Sequence, residues 1–285
     1  KLGIDVIVLD HHTVPPQLPN AYAVINPKTK GSTYPFTELA AVGVAYRFLQ
    51  VLFESLGRVL PEEDFIDLVA LGTVVDVAPL LDENRILVTA GLDQMRTNPR
   101  PGIEALARVA GMHPGQLVAQ SLGFGLGPRM NAAGRMAHAQ TALDLLLAET
   151  PITARPLAED LDALNRRRQV ECEQGQLEAE ALLGATDDPL VMVGSETLHV
   201  GIIGIVAGRL AESRSRPAIV YERGATESRA SARTIPTFDI IAAIRKEEDL
   251  LKRHGGHRAA AGFTIRNENI EAFRERIVNT AAERL

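Results

Sequence analysis

The sequence contains no tryptophan, and phenylalanine and tyrosine together make up only 4% of its 285 residues. A broad platform of stacked aromatic side chains for nucleobases is therefore not written into the composition. Cysteine occurs once, as Cys172, which excludes an internal disulfide framework and a cysteine-rich zinc site. A lone cysteine suits a reducing compartment. Positive charge is not in excess: the formal net charge is −6. The chain as a whole thus has no electrostatic pull on nucleic acid, and any polyanion has to be gripped locally. No signal peptide and no apolar run long enough to span a bilayer is present. What remains is a chain with 46% apolar residues and room for about two domains, read as a soluble cytoplasmic protein.

The stretch Val6-Ile-Val-Leu-Asp-His-His12 organises the reading. Its four apolar residues, three of them β-branched, predict a short strand buried on both faces. Asp10, His11 and His12 follow without a spacer, at the carboxyl end of a strand, where open α/β sheets gather their chemistry. Carboxylate plus imidazole suits a divalent transition metal such as manganese. A second carboxylate, Asp76, closes the apolar run Phe65–Val75, where an unpaired charge is costly unless a cation meets it or it caps the next turn. Asp82 and Glu83 beyond it read as solvated or capping.

Several further elements are legible. The prolines of 14–19 predict irregular chain, and Ala23–Ile25 a short strand ended by Asn26-Pro27. Helices are expected over 37–56, with Thr37 as N-cap, and over 64–75, 84–95, 102–109 and from 141. Phe124–Arg135, with three glycines and a proline, reads as a shaped loop whose Arg129, Asn131 and Arg135 can donate to phosphate oxygens. A long charged amphipathic helix is expected from Leu157 to about Leu183. A second α/β unit follows: strands over 190–193, 217–221 and 261–265, a glycine-bearing turn into a helix at 199–210, and a helix over 238–251. The stretch Ser228–Thr234 carries mostly alternating small and polar residues. His254-Gly-Gly-His257-Arg258 reads as a tight turn, and Asn267 as the cap of the last helix.

Two α/β units with Asp-His-His at a strand end, a distant carboxylate, and glycine turns bearing Arg and His together suit phosphodiester hydrolysis. Hard ligands can hold a pair of divalent ions while separate donors keep a phosphate in line. At this point the chain resembles the DHH/DHHA1 phosphoesterase superfamily, and within it the RecJ-type single-stranded-DNA exonucleases. The matching stretches are Val8–His12, Leu71–Leu80, Gly127–Arg135, His199–Arg209, Ser231–Pro236 and Gly255–Gly262, in one order over nearly the whole chain.

The resemblance implies two α/β domains joined by a long helix with a cleft between them. Residues 1–150 would be the C-terminal part of a DHH catalytic domain with a parallel sheet. Residues 151–184 would be the connecting helix, and 185–285 a smaller DHHA1 substrate-binding domain. It further implies that His11 and Asp76 ligate manganese or magnesium, with two ions in the intact protein. His12 would touch the scissile phosphate, Asp10 would support the imidazoles, and Arg129 would lie near the cleaved position. Asn131 and Arg135 would contact the substrate, Ser231 and Arg233 would receive a 5′ phosphate, and Gly255, Gly256 and His257 would line the same cleft. The implied activity is 5′-to-3′ hydrolysis of single-stranded DNA in repair and recombination, by a water that two metal ions activate. Other members act on short oligonucleotides, nucleotide phosphates or cyclic dinucleotides, and a non-catalytic replication scaffold on the same fold is the alternative of another class.

The family pattern also includes earlier aspartate motifs and an oligonucleotide-binding fold, neither of which lies within these residues. Thr234 and Thr237 stand where Ser and Gly are expected. With Lys1 as its first residue, the chain reads as the central piece of a longer exonuclease, inactive by itself.

Overall fold

A computed structural model describes residues 3–15 and 17–285. Lys1, Leu2 and Pro16 lie outside the described residues, and with Pro16 part of the proline-rich stretch expected to be irregular. The chain divides into two compact units, residues 1–133 with 139–163, and residues 134–138 with 164–285.

In the first unit, β1 (Ile7–Leu9) and β2 (Ala23–Ile25) form a parallel pair in which Leu9 lies beside Ile25. The expectation of a strand buried on both faces is corrected here. Among the described residues β1 pairs only with β2, and Val6 and Ile7 are about half exposed, at 52% and 47%. The helices follow as α1 (Ala41–Ser55), α2 (Ile66–Val75), α3 (Asp82–Thr97), α4 (Pro101–Val109), α5 (Gly127–Met136) and α6 (Gln140–Leu147), with α7 running over Pro151–Leu183. Leu39, Val44, Tyr46, Ile66, Val69 and Leu87 form a core under α1 to α3. Gly91 lets α3 lie against α2, since a Cβ there would come within 2.3 Å of the Ile66 carbonyl oxygen. A buried Asp67 receives two parallel bonds from Arg100, at 2.9 and 3.0 Å, and fastens α2 to the start of α4.

Some expected elements differ. Helix α1 begins at Ala41, and Thr37 lies ahead of it with its hydroxyl on Glu38, so it caps nothing. Glu83 is not solvated: it accepts from Tyr34 and Arg47. Residues 124–135, expected as a loop, are helical, with a π-helical turn at Ser121–Leu126 running into α5. The wide turn accommodates Pro128, which removes one bond from the ladder. The glycines serve close packing instead of turns. A Cβ at Gly125 would lie 2.1 Å from Met112 Cε, and one at Gly127 would lie 2.6 Å from Val75 Cγ2. Helix α7 begins at Pro151, where proline is tolerated, and carries Pro156 inside it.

The second unit is a five-stranded sheet of order β3-β4-β5-β7-β6: β3 (Val191–Ser195), β4 (Ala218–Arg223), β5 (Glu227–Arg233), β6 (Leu251–His257) and β7 (Ala260–Arg266). Only β3 and β4 run parallel. Strand alternation distributes its residues between two cores. Met192, Ile219, Tyr221, Ala230, Ala232 and Phe263 pack with Ile240, Ile244 and Phe273 from α9 (Ile240–Lys246) and α10 (Ile270–Ala282). Val191, Val193, Ala218 and Val220 face the other way, onto Cys172 and Ala179 of α7 and Val206 and Leu210 of α8 (Ile203–Arg214). The alternation of Ser228–Thr234 is thereby explained: its small residues belong to one core and its polar residues to the α8 side. Asn267 does not cap α10. Its side chain ties Gly224 to Ser228 instead.

The tight turn expected at His254–Arg258 is also corrected. Gly255, Gly256 and His257 are the end of β6, paired with Gly262, Ala261 and Ala260, and the chain reverses at Arg258-Ala259. Gly256 has φ +144°, and a Cβ on it would meet the Ala260 carbonyl oxygen at 2.4 Å, so the hairpin requires glycine there.

Candidate active site

Asp10, His11 and His12 leave the carboxyl end of β1. The Asp10 amide donates to the Ile25 carbonyl at 3.0 Å, which extends the parallel pairing by one residue. The Asp10 carboxylate then takes the His12 Nδ1 at 2.7 Å. That hydrogen bond is the main reason the Asp10 carboxyl sits below its usual pKa, against a smaller opposing effect of burial. It also fixes the ring, so that Nε2 is the His12 atom able to meet a substrate oxygen.

Asn26 completes this arrangement, and the residue types alone do not single it out. Its amide donates to the His12 carbonyl at 2.9 Å and reaches Asp10 Oδ2 at 3.5 Å, while its own oxygen accepts from the Lys28 amide. The signal available in the sequence was its register: Asn26 directly follows the strand residue paired with Leu9, one step before Asp10.

Asp76 is the C-cap of α2. Val77 follows with φ +62°, a left-handed conformation that a β-branched residue rarely adopts. The Ala78 amide donates to the Thr73 carbonyl and the Val77 amide to Val74, the Schellman pattern in which glycine is usual. Asp76 was expected in a buried setting. Its side chain is in fact 42% exposed, and its Oδ2 lies 3.6 Å from Nδ1 of His11, which is 15% exposed.

A carboxylate at a helix C-terminus faces the negative end of the helix dipole. Both the carboxylate and the helix end therefore attract a cation. A cation about 2.1 Å from each donor would join atoms 3.6 Å apart at an angle of about 120°. His11 and Asp76 thus fit two positions of a divalent coordination sphere. Among the described residues, no group of three or more His, Cys, Asp or Glu side chains converges as a metal cluster.

Arg129 and Arg135 lie on α5 in different settings. Arg129 donates to the buried Asp162 at 2.8 Å and to the Gly125 carbonyl at 2.8 Å. Arg135 is exposed and donates to the Gly201 carbonyl at 3.3 Å. Asn131 is exposed on the same helix.

In the second unit, Ser231 and Arg233 project from β5 toward α8. A Cβ on Gly204 would lie 3.0 Å from Ser231 Oγ and 3.1 Å from Arg233 Nη2, so the absence of a side chain at 204 leaves room for both. Arg233 donates to Ser231 Oγ at 3.1 Å and to the Ala232 carbonyl at 2.9 Å. Its guanidinium is depressed in pKa, first by burial and then by the charge of Arg135. Strand register sets the rest. Ser231, Gly262 and Gly255 form one cross-strand row, and Arg233, Ala260 and His257 the next. Residues of one row share a face, so His257 stands on the Arg233 side, about 10 Å away across two strand spacings. Two glycines beside Ser231 leave a shallow floor. A hydroxyl, guanidinium groups and a floor without side chains are what a phosphate needs.

Residues 1–73 match the DHH family, N-terminal domain, and residues 187–283 match the DHHA1 domain. A single-stranded-DNA-specific exonuclease RecJ of Bacillus subtilis is 38% identical over 97% of the chain and 35% of that relative. The protein of the same name from Salmonella typhimurium is 39% identical over 99% of the chain and 53% of its own length. Among solved structures, RecJ of Thermus thermophilus in complex with Mn²⁺ superimposes with a TM-score of 0.87 at 34% identity, over 99% of this chain and 42% of that one. An exonuclease RecJ bound to manganese gives 0.82 at 34% identity, over 98% of this chain and 70% of its own. Fold and motif order together are those of a two-unit DHH/DHHA1 protein. The chain belongs to the DHH/DHHA1 superfamily, in its RecJ branch. It spans between about a third and a half of the length of these curated relatives.

Proposed function

We propose that this chain supplies a cation-ligating pair and a strand-end cradle to a metal-dependent exonuclease that shortens single-stranded DNA from its 5′ end, in repair and recombination. The observation that carries the proposal is the approach of His11 to Asp76. One follows a strand and the other ends a helix far along the chain, yet their donor atoms lie 3.6 Å apart. His11 and Asp76 hold manganese or magnesium; when bound, such ions supply Lewis acidity and an activated water, two of them in the complete enzyme.

His12, oriented by Asp10 and Asn26, meets the scissile phosphate through Nε2. Ser231 and Arg233, with Arg135, receive the 5′-terminal phosphate. The glycine row through Gly255 and Gly256 opens the approach, His257 lines it, and Asn131 contacts the strand. Arg129, engaged with Asp162, is assigned to shaping the segment after the π-helical turn. On this reading residues 1–150 carry the cation pair, residues 185–285 the cradle, and residues 151–184 connect them. The relatives named as single-stranded-DNA-specific exonucleases, and the RecJ structure in complex with Mn²⁺, support this assignment. No helix among the described residues is long and apolar enough to cross a membrane, and a single thiol is compatible with work in the cytoplasm.

Titrating Mn²⁺ into the 285-residue chain, with loss of the free-ion EPR signal as the readout, tests the reading. Asp76→Asn and His11→Ala should each weaken binding by at least about tenfold. Equal affinity in all three proteins would overturn the pair. The chain by itself is expected to release no mononucleotides from 5′-phosphorylated single-stranded DNA.

A further inference from the structure

Of the eight phenylalanines in the chain, Phe124 is the one that is exposed, with 82% of its surface open. A single apolar side chain on a surface is ordinary. The segment that carries this one is not. It is the π-helical turn Ser121–Leu126, a rare form found mostly at functional sites, and Leu122, Gly125 and Leu126 around the ring are buried.

The turn is clamped from two sides. On one, Gly123 and Gly127, four residues apart, face the end of α2. Cβ atoms on them would lie 3.6 Å from Val74 Cγ1 and 2.6 Å from Val75 Cγ2. On the other, a Cβ on Gly125 would lie 2.1 Å from Met112 Cε. Backbone packed this closely holds the ring outward, and a ligand has only the side-chain torsions of Phe124 left to order.

Val74 and Val75 are the two residues before Asp76. The clamp therefore sets Phe124 one helix spacing, on the order of 10 Å, from the end of α2 that bears the cation ligand. Val77, beside Asp76, is exposed and apolar as well. Two helical turns beyond Phe124, Asn131 is exposed on α5. A phenyl ring offers a flat face with no donor or acceptor. An unpaired nucleobase presents a matching face, whereas in a duplex its neighbours cover it. One ring suits one base, and its place between the cation pair and Asn131 favours the strand over a protein surface.

We propose that Phe124 stacks on an unpaired nucleobase next to the phosphate that is cleaved. It is a positioning residue that holds the nucleotide beside the His11–Asp76 pair. Without a hydrogen-bonding group, the ring reads that a base is unpaired and not which base it is. The inference rests on the function proposed above, and its test separates the two.

The sequence has no tryptophan, so Phe124→Trp gives the full 285-residue chain a single indole at this position. In EDTA, a 5′-phosphorylated thymidine octanucleotide should quench its fluorescence. The same strand with abasic residues, equal in charge, should bind without quenching. Tyr22→Trp, exposed just before β2 and at the opposite end of the strand pair from Asp10, should be quenched by neither. In anisotropy, Phe124→Ala and Phe124→Leu should each weaken the thymidine strand about tenfold and the abasic strand by less than about twofold, while Phe124→Tyr binds like the wild type. All should melt with the wild type, since the side chain is exposed. If Phe124→Ala binds both strands like the wild type while Arg233→Gln binds neither, stacking is refuted and the phosphate cradle stands. If Arg233→Gln binds both like the wild type while Phe124→Ala loses only the thymidine strand, the cradle fails and stacking stands. A wild type that binds neither strand overturns both. If the wild type sediments as a dimer that Phe124→Ala dissociates, the ring covers a second copy of the chain and the stacking assignment falls.

Discussion

Replacing Gly204 by alanine separates the proposed phosphate cradle from the fold that carries it. Gly204 is the second residue of α8, where alanine relieves part of the helix cost of glycine, about 0.5–1 kcal/mol in a helix interior and less in a first turn. Against this, the new methyl would stand 3.0 Å from Ser231 Oγ and 3.1 Å from Arg233 Nη2. Both atoms end side chains and can yield by a few tenths of an ångström, so stability should change by less than about 1 kcal/mol. The cradle cannot yield without cost. Arg233 is held by Ser231 and the Ala232 carbonyl, and turning it away misdirects a charge-assisted bond of about 1.5–3 kcal/mol. Losing half of one such bond, about 0.75–1.5 kcal/mol, corresponds to about four- to twelvefold in affinity, about tenfold at the upper end. Gly204→Ala should therefore melt within a few degrees of the wild type and bind a 5′-phosphorylated oligonucleotide about tenfold more weakly. Gly201→Ala is the contrast: its Cβ would lie 2.1 Å from the Arg135 carbonyl oxygen, so backbone must move and stability should fall together with binding. Thermal melts followed by circular dichroism and anisotropy in EDTA read both quantities. Unchanged affinity in a folded Gly204→Ala protein would refute the assignment of Ser231 and Arg233 to a phosphate.

Removing the carboxylate of Asp67 leaves Arg100, with its side chain 21% exposed, without its counter-charge. Asp67→Ala should cost about 3 kcal/mol in urea denaturation, and a loss below about 1 kcal/mol would show the pair to be dispensable. Val77→Gly should raise stability by up to about 1 kcal/mol by relieving the left-handed valine at the end of α2, whereas a loss would mean that Val77 contributes packing despite its exposure. Burial pushes the Cys172 thiol above its ordinary pKa, against weaker opposing effects of Arg168, Arg209 and Arg135. It should therefore resist a thiol reagent at pH 8 in the native protein and react fully in denaturant; rapid native labelling would contradict its burial.

Strands β1 to β4 were legible because a short apolar run bounded by turn residues is a local signal. Val191, Val193, Ala218 and Val220 face one core and Met192, Ile219 and Tyr221 the other, as strands covered on both faces require, whereas β6 was hidden in an expected helix and turn. Asp10, His11 and His12 follow a strand as their sequence implied. Two glycine-rich stretches differ from expectation for one physical reason. Glycine marks either a turn or a close approach, and composition does not separate the two. Around Gly125 and Gly127 the decisive neighbours are Met112 and Val75, and for Gly256 they are Ala260 and Ala261 across a hairpin. The role of Asn26 depends on which strand lies beside β1, a neighbour that local pattern does not specify.

The same dependence on distant neighbours separates Arg129 from Arg135. Both belong to one short motif on α5, and both present a guanidinium that local pattern assigns to phosphate. Arg129 lies against Asp162, with side chains 18% and 6% exposed, so its field is largely cancelled by a carboxylate held at 2.8 Å. Arg135 donates to a carbonyl, which orients a charge but leaves its magnitude intact. Coulomb attraction for an incoming phosphate falls with every compensating charge already in place and is strongest where the existing partner is a dipole. Arg233 shares the Arg135 condition, held by a hydroxyl and a carbonyl. On the function proposed here, an arginine is left to meet an anion where its partner is a dipole, and that partner lies outside the motif.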